Sequence, residues 1–137
     1  MADQYKTLAH EWFEEVWNQG SSDAIERLFA ADGIAHGLAD VAGHEPVGPA
    51  GFKPFHKMFR DAFPDMRIEV MDTICEGDKI AVRCAVTGTH LGETLGMSST
   101  GRRIDITGMT ILRIEGGKIA EAWNNFDFAA MNRQLTS

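Results

Sequence analysis

The stretch from Met66 to Phe126 constrains the fold more than any other part of the chain. It holds four strand-length runs, roughly 66–75, 79–91, 102–115 and 118–126, rich in β-branched residues and bounded by turn signals. The first two runs meet at Glu76-Gly77-Asp78. The last two meet at Glu115-Gly116-Gly117, where paired glycines suit a primed two-residue hairpin turn. "GETLGMSSTGRR" joins the middle pair more loosely. Hairpins in succession commit this half to antiparallel pairing.

The first half has a different period. Tyr5, Leu8, Ala9, Trp12, Phe13, Val16 and Trp17 recur at helical spacing over 3–19, and Gly20 suits the C-terminal end of that helix. Asp23, with Glu26 three residues on, is a candidate N-cap for a second helix through "AIERLFA". "DGIAHG" reads as a short strand and "LADVAGHEPVGPAG" as a loop. A third helix, "GFKPFHKMFRDAF", carries Phe52, Phe55, Met58, Phe59 and Phe63 on one face, with Pro54 in its first turn. "FAAMNRQL" closes the chain as a short helix. Helices first and hairpins afterwards predict an α+β fold, a curved and mainly antiparallel sheet with three main helices. No repeat or linker divides residues 1–137, so one domain is expected.

Bulk properties narrow the partners. A net charge of -7 argues against nucleic acid and anionic membrane surfaces, both of which need clustered Lys and Arg. "MADQYKTLAHEW" lacks the basic start and apolar run of a leader, and no apolar stretch would span a bilayer, so a soluble cytoplasmic protein is expected. If Glu76 pairs with Lys79, Cys75 faces Ile80, Cys84 faces Met71 and Arg83 opposes Asp72. The two sulfurs then lie too far apart for a disulfide, and both thiols are expected free. No Cys/His spacing suggests a metal, and none is expected. The last two strands carry apolar residues on both faces, Ile104, Ile106 and Leu112 on one and Met109 and Ile111 on the other. One set fills the core; the other predicts a homodimer on the outer face of the sheet.

The order of elements, with "EVWNQGSSDAIERLFAADGIAHG", "FPDMRIEVMDTICEGDKIAVRCAVTGTHLGE", "STGRRIDITGMTILRIEGGKIAEAWNNFDF" and the closing "RQL", resembles the SnoaL-like family of polyketide and ester cyclases, with its nuclear-transport-factor-like cone-shaped fold. The resemblance implies a cone whose wide end is the pocket. Three elements are expected to reach it. The first helix brings Trp12, Phe13 and Trp17, the first strand His36, and the end of the last strand Trp123, Asn124, Asn125 and Asp127. The aromatics have the spacing of any buried helix face as well as that of a ligand wall.

Asp127 lies between Phe126 and Phe128, where burying a carboxylate without a partner is costly. The resemblance implies an acid/base aspartate in this region, after the tryptophan of the last strand, with its carboxylate in the pocket. It would take a proton from an acidic carbon beside a carbonyl and return one to oxygen. Capping the tail helix is the other use of an aspartate here, and one residue can do both. Asn124 and Asn125 stand nearer Trp123, and an amide there binds an oxyanion but cannot act as a base. The resemblance also implies polar groups lining the pocket; His36, and His90 in "TGTHLGE", are candidates to hydrogen-bond a substrate carbonyl or enolate, or else are structural. Arg83 is either a cross-strand ion pair or a polar wall.

Other chemistries fall away. There is no GxSxG, and "GMSSTG" lacks the Lys-Ser/Thr of a P-loop. The single tyrosine, Tyr5, stands near the chain start, away from any tyrosine-based oxyanion hole. An epoxide-hydrolase-like set would draw on Arg103, Asp105 and Asp127. The reading reached is a cofactor-independent cyclase or isomerase using acid/base catalysis on a small apolar carbonyl compound, polyketide- or ester-like. The rival is a non-catalytic pocket for a small apolar ligand. A carboxylate within reach of an open cavity marks the enzyme; one tied to backbone amides marks the binder.

Overall fold

The computed structural model describes residues 2–38 and 43–136. Helix α1 spans Ala2–Glu11 and runs directly into a π-helix, Trp12–Asn18; α2 is Ser22–Leu28, β1 Phe29–His36 and α3 Gly48–Ala62. Strands β2 (Arg67–Glu76), β3 (Lys79–Thr89), β4 (Arg103–Glu115) and β5 (Lys118–Phe126) follow, then α4 (Phe128–Thr136). The strands form one sheet in the order β1-β5-β4-β3-β2; β1 runs parallel to β5 and the other neighbours are antiparallel. One face is buried under the helices, where Ile104, Ile106, Leu112 and Ile114 alternate with exposed neighbours along β4. This is the expected α+β cone.

Local chemistry explains the hairpins. Gly116 and Gly117 have φ of 61° and 76°, the left-handed values a primed turn demands, and Glu115 pairs with Lys118. Glu76 pairs with Lys79 as expected, which sets Cys75 opposite Ile80 and Asp72 opposite Arg83. A bulge between Val70 and Asp72 drops Met71 from the ladder, so Cys84 faces Val70 rather than Met71. Both thiols are free; Cys84 is buried, and that burial pushes its pKa up to about 12.

Several helix details differ from expectation. The α2 cap is Ser21, whose hydroxyl accepts from the Ala24 N–H at 3.2 Å; Asp23 instead sits in the first turn, where its charge suits the helix dipole. Helix α3 begins at Gly48, so Pro49 takes the first turn and Pro54 lies inside, without an N–H to give. Of the expected loop over 38–51, residues 39–42 lie outside the described residues and 48–51 are helical. Strand β1 starts earlier than expected, at Phe29.

The first helix was expected to be uniform, but its second half is a π-helix. Two of its carbonyls take donors from α3: His56 Nε2 gives to Val16 O at 2.6 Å and Arg60 Nη1 to Trp17 O at 3.0 Å. Burial holds the His56 pKa below its usual value, in keeping with a neutral ring donating from Nε2. Two side-chain amides moor helices to strands. Asn18 gives to Ile68 O at 2.9 Å and accepts from Ile68 N at 2.6 Å. Gln134 does the same to Asp105, at 2.9 Å both ways. The core between helices and sheet is aromatic, with Phe52 5.2 Å from Trp12 and 5.5 Å from Phe29 by ring centroids. Among the described residues, no helix is long and apolar enough to cross a membrane.

Candidate functional site

Strand pairing sorts the side chains into rows. On the buried, concave face Thr73, Val82, Thr110 and Asn124 stand in line across β2, β3, β4 and β5. Ile74, Ala81, Ile111, Trp123 and His36 form the adjacent row on the outer, convex face. Pleating sends successive residues of a strand to opposite faces.

A cavity lies between the concave face and the helices. The π-helix supplies Trp12, Phe13 and Trp17; α3 supplies Phe52, Phe55 and Phe59; the sheet supplies Val86, Ile104, Ile106, Leu112 and Ala122. Phe126, Phe128 and Met131 wall it at the β5–α4 junction. Phe59, Phe126 and Phe128 are half-buried, so the cavity meets solvent there; the Phe128 ring centre is 5.9 Å from that of Phe59 and 6.4 Å from that of Phe126. Gly108 faces Phe126 across the strands, and a Cβ on Gly108 would overlap that ring. Free space in and before the cavity totals about 700 Å³.

Among the described lining residues, Asn124 carries the one amide, and Trp12 and Trp17 add indole N–H groups. The Asn124 Nδ2 gives to the His36 carbonyl at 2.9 Å, which ties β5 to β1. Among the described residues, the lining contains no titratable group.

The expected site residues therefore divide. Trp12, Phe13, Trp17 and Asn124 line the cavity. Asp127 does not. Its side chain is exposed, and Oδ1 accepts from the Ala130 N–H at 3.0 Å, capping α4. The expectation that its carboxylate enters the pocket is corrected: alternation turns Phe126 inward and Asp127 outward. His36, Trp123 and Asn125 are likewise on the convex face. His36 stacks on Trp123 at 5.8 Å and sits between two carboxylates, Nε2 2.6 Å from Glu121 and Nδ1 3.2 Å from Glu45. Those hydrogen bonds, Glu121 first and then Glu45, raise the His36 pKa. The Glu45 carboxyl is lowered by the Gly37 N–H and then by His36; that of Glu121 is lowered by His36 and then by Arg113.

Arg83 is exposed and pairs with Asp72 at 3.0 Å, an ion pair on the outer face rather than a pocket wall. His90 is buried outside the cavity; its Nδ1 accepts from the Thr100 N–H at 3.2 Å, joining the two ends of the β3–β4 loop. Arg103 and Asp105 are exposed and, with Asp127, do not line the cavity as an epoxide-hydrolase-like set would. Among the described residues, no cluster of three His, Cys, Asp or Glu could hold a metal ion. Sequence reasoning missed Thr110, directly opposite Asn124 and buried, although alternation from Leu112 would have placed it. The arrangement can enclose a neutral, mostly apolar molecule and offer it one amide.

Residues 7–135 match the family described as SnoaL-like polyketide cyclase. The chain is 27% identical to the aklanonic acid methyl ester cyclase DnrD of Streptomyces peucetius over 124 residues, 88% of this chain and 83% of that one. It superposes on the crystal structure of IdmH, a candidate polyketide cyclase of Streptomyces antibioticus, with a TM-score of 0.81 at 28% identity, covering 96% of this chain and 98% of that one. A candidate SnoaL-like polyketide cyclase of Jannaschia sp. CCS1 shares the fold, with a TM-score of 0.86 at 20% identity, covering 98% and 93%.

Proposed function

Because the chain belongs to the SnoaL-like polyketide cyclase family, we propose that it closes a ring in a small, mostly apolar carbonyl compound of polyketide or ester kind, without a cofactor. The observation that carries this is the aromatic-walled cavity with, among the described residues, one amide in its lining. Such a cavity excludes water and folds a flexible chain so that its reacting carbons meet, which lowers the entropic barrier to ring closure. The chemistry is an intramolecular aldol step. A base removes a proton from the carbon between two carbonyls, that carbon bonds to a ketone carbon, and the ketone oxygen takes up a proton. Asp127 is the proposed acid/base; in this structure its carboxylate caps α4 and faces away from the cavity, so to act it would have to leave the Ala130 N–H and turn inward past Phe126. His36 and His90 contribute through the scaffold, by their bonds to Glu45, Glu121 and Thr100.

One observation favours a second reading, a pocket that binds without turnover: the Asp127 carboxylate is tied to a backbone amide. Asp127→Asn separates the two, since asparagine caps a helix as well as aspartate but is no base. A methyl ester carrying a 1,3-dicarbonyl and a tethered ketone serves as substrate. Under the cyclase reading the parent closes the ring and Asp127→Asn loses at least about a hundredfold in rate with its melting temperature unchanged. Full turnover in Asp127→Asn removes the base role. A parent that binds the ester yet leaves it open is a binder.

A further inference from the structure

We propose that Asn124 selects ligands that carry a hydroxyl or an enol, by presenting a hydrogen-bond acceptor to the cavity. The inference rests on the reading above that the cavity takes small apolar compounds, and it narrows their class.

The direction of the amide carries the argument. Nδ2 of Asn124 lies 2.9 Å from the His36 carbonyl oxygen, which can only accept. The nitrogen must be the atom facing that carbonyl, so Oδ1 points the other way. Among the described residues nothing donates to Oδ1, and Asn124 carries the one side-chain oxygen in the lining. An acceptor without a donor in an apolar wall repels a bare carbonyl oxygen and attracts O–H.

The cross-strand neighbour of Asn124 is polar as well, though outside the lining. Thr110 is paired directly with Asn124 on the same face and is 1% exposed, yet its hydroxyl has no hydrogen-bond partner. Buried hydroxyls are seldom left so. A ligand O–H seated against Asn124 gives its proton to Oδ1; the Thr110 hydroxyl is sealed from the cavity, which its residue does not line, and makes no contact with the ligand. The enol form of a 1,3-dicarbonyl offers that O–H at the carbon skeleton that ring closure requires. Binding the enol draws the ligand toward the tautomer whose carbon is nucleophilic.

The test compares three probes of one shape on the whole chain by ligand-observed NMR: 2-naphthol, 2-methoxynaphthalene and 2-acetylnaphthalene. The expected result is a Kd for 2-naphthol about tenfold below that of either partner, the worth of one hydrogen bond. Asn124→Leu should level the three while all still bind, and Thr110→Val, outside the lining, should leave the preference unchanged. Equal affinities in the parent, or tightest binding of the ketone, overturn the inference and leave the cavity reading standing. Failure of all three to bind overturns both. The parent comparison decides by itself if Asn124→Leu does not fold.

Discussion

Two adjacent rows of side chains cross the same strands, and they invert the usual rule. The concave row, Thr73-Val82-Thr110-Asn124, lies under the helices and holds the polar groups. The convex row, Ile74-Ala81-Ile111-Trp123, faces outward and is apolar until it reaches His36. Ile74 is 72% exposed and Ile111 41%, whereas Thr110 is 1% exposed. Buried polarity costs stability, and exposed apolar area invites a partner. The rows therefore point to two different contacts, a small molecule on one face and protein on the other.

The largest effect should come from the concave side. Phe52→Ala removes a ring that touches Trp12, Trp17, Phe29 and Phe55, and is expected to cost about 3–5 kcal/mol in denaturant unfolding. Ile111→Ala on the convex row should cost less than about 1 kcal/mol. Comparable losses would mean the convex row is as buried in solution as the cavity wall.

That outcome leads to the proposed homodimer. Light scattering at micromolar concentration is expected to give about twice 15.1 kDa, and Ile111→Asp to return it to 15.1 kDa. A parent of 15.1 kDa would leave the convex row without its partner.

Thr110→Val sharpens the contrast from the other direction. Replacing an unpaired buried hydroxyl with a methyl should stabilise the empty protein by about 1 kcal/mol. A loss of that size would show that the hydroxyl has a partner in solution. Arg83→Ala, beside the convex row, removes an exposed, solvent-screened ion pair and should leave the unfolding midpoint nearly unchanged.

The smallest effect is the pH dependence at His36. Its folded pKa is raised, so its ion pairs contribute fully below the unfolded value of ~6.5 and are lost as pH rises through the folded one. Glu45 and Glu121 are lowered, so their contribution is present above ~4.3 and is lost as pH falls through their folded values. The clamp is strongest between those limits. The melting-temperature gap between parent and His36→Gln should therefore shrink from pH 6 to pH 9. A constant gap would mean that His36 acts through shape rather than charge.

What the sequence disclosed follows the range of the forces involved. The hairpins were legible because glycine pairs and period-two alternation act between near neighbours, and the register from Glu76–Lys79 down to Asp72–Arg83 followed from one turn. It failed at the Val70 bulge, a local insertion that no turn signal announces. The π-helix depends on donors from α3, some 40 residues away in sequence, and no periodicity reports them. His36 is set by a parallel pairing with β5, again a distant partner. Asp127 is a different case. Its aromatic neighbours suggested an aromatic pocket, yet neighbours along a strand face the opposite way, and the same alternation that places Asn124 and Phe126 inside places Asp127 outside. The apolar cavity wall was legible in Trp12, Phe13 and Trp17 because helical spacing fixes a face without naming what covers it.

The side-chain amides of Asn18 and Gln134 have a bearing on solubility. A sheet ends in unpaired N–H and C=O groups, and such an edge is a template on which another chain can add as a further strand. Asn18 takes both backbone groups of Ile68 on β2, the last strand on one side. Gln134 takes both of Asp105, where β4 outruns β5. At the opposite border the Ala35 N–H of β1 is held by the Pro46 carbonyl at 3.1 Å. Each amide imitates one residue of a neighbouring strand and offers nothing beyond it. The ladder stops at these points with its bonds already made, and a stray β-segment meets no free valence there to begin growth.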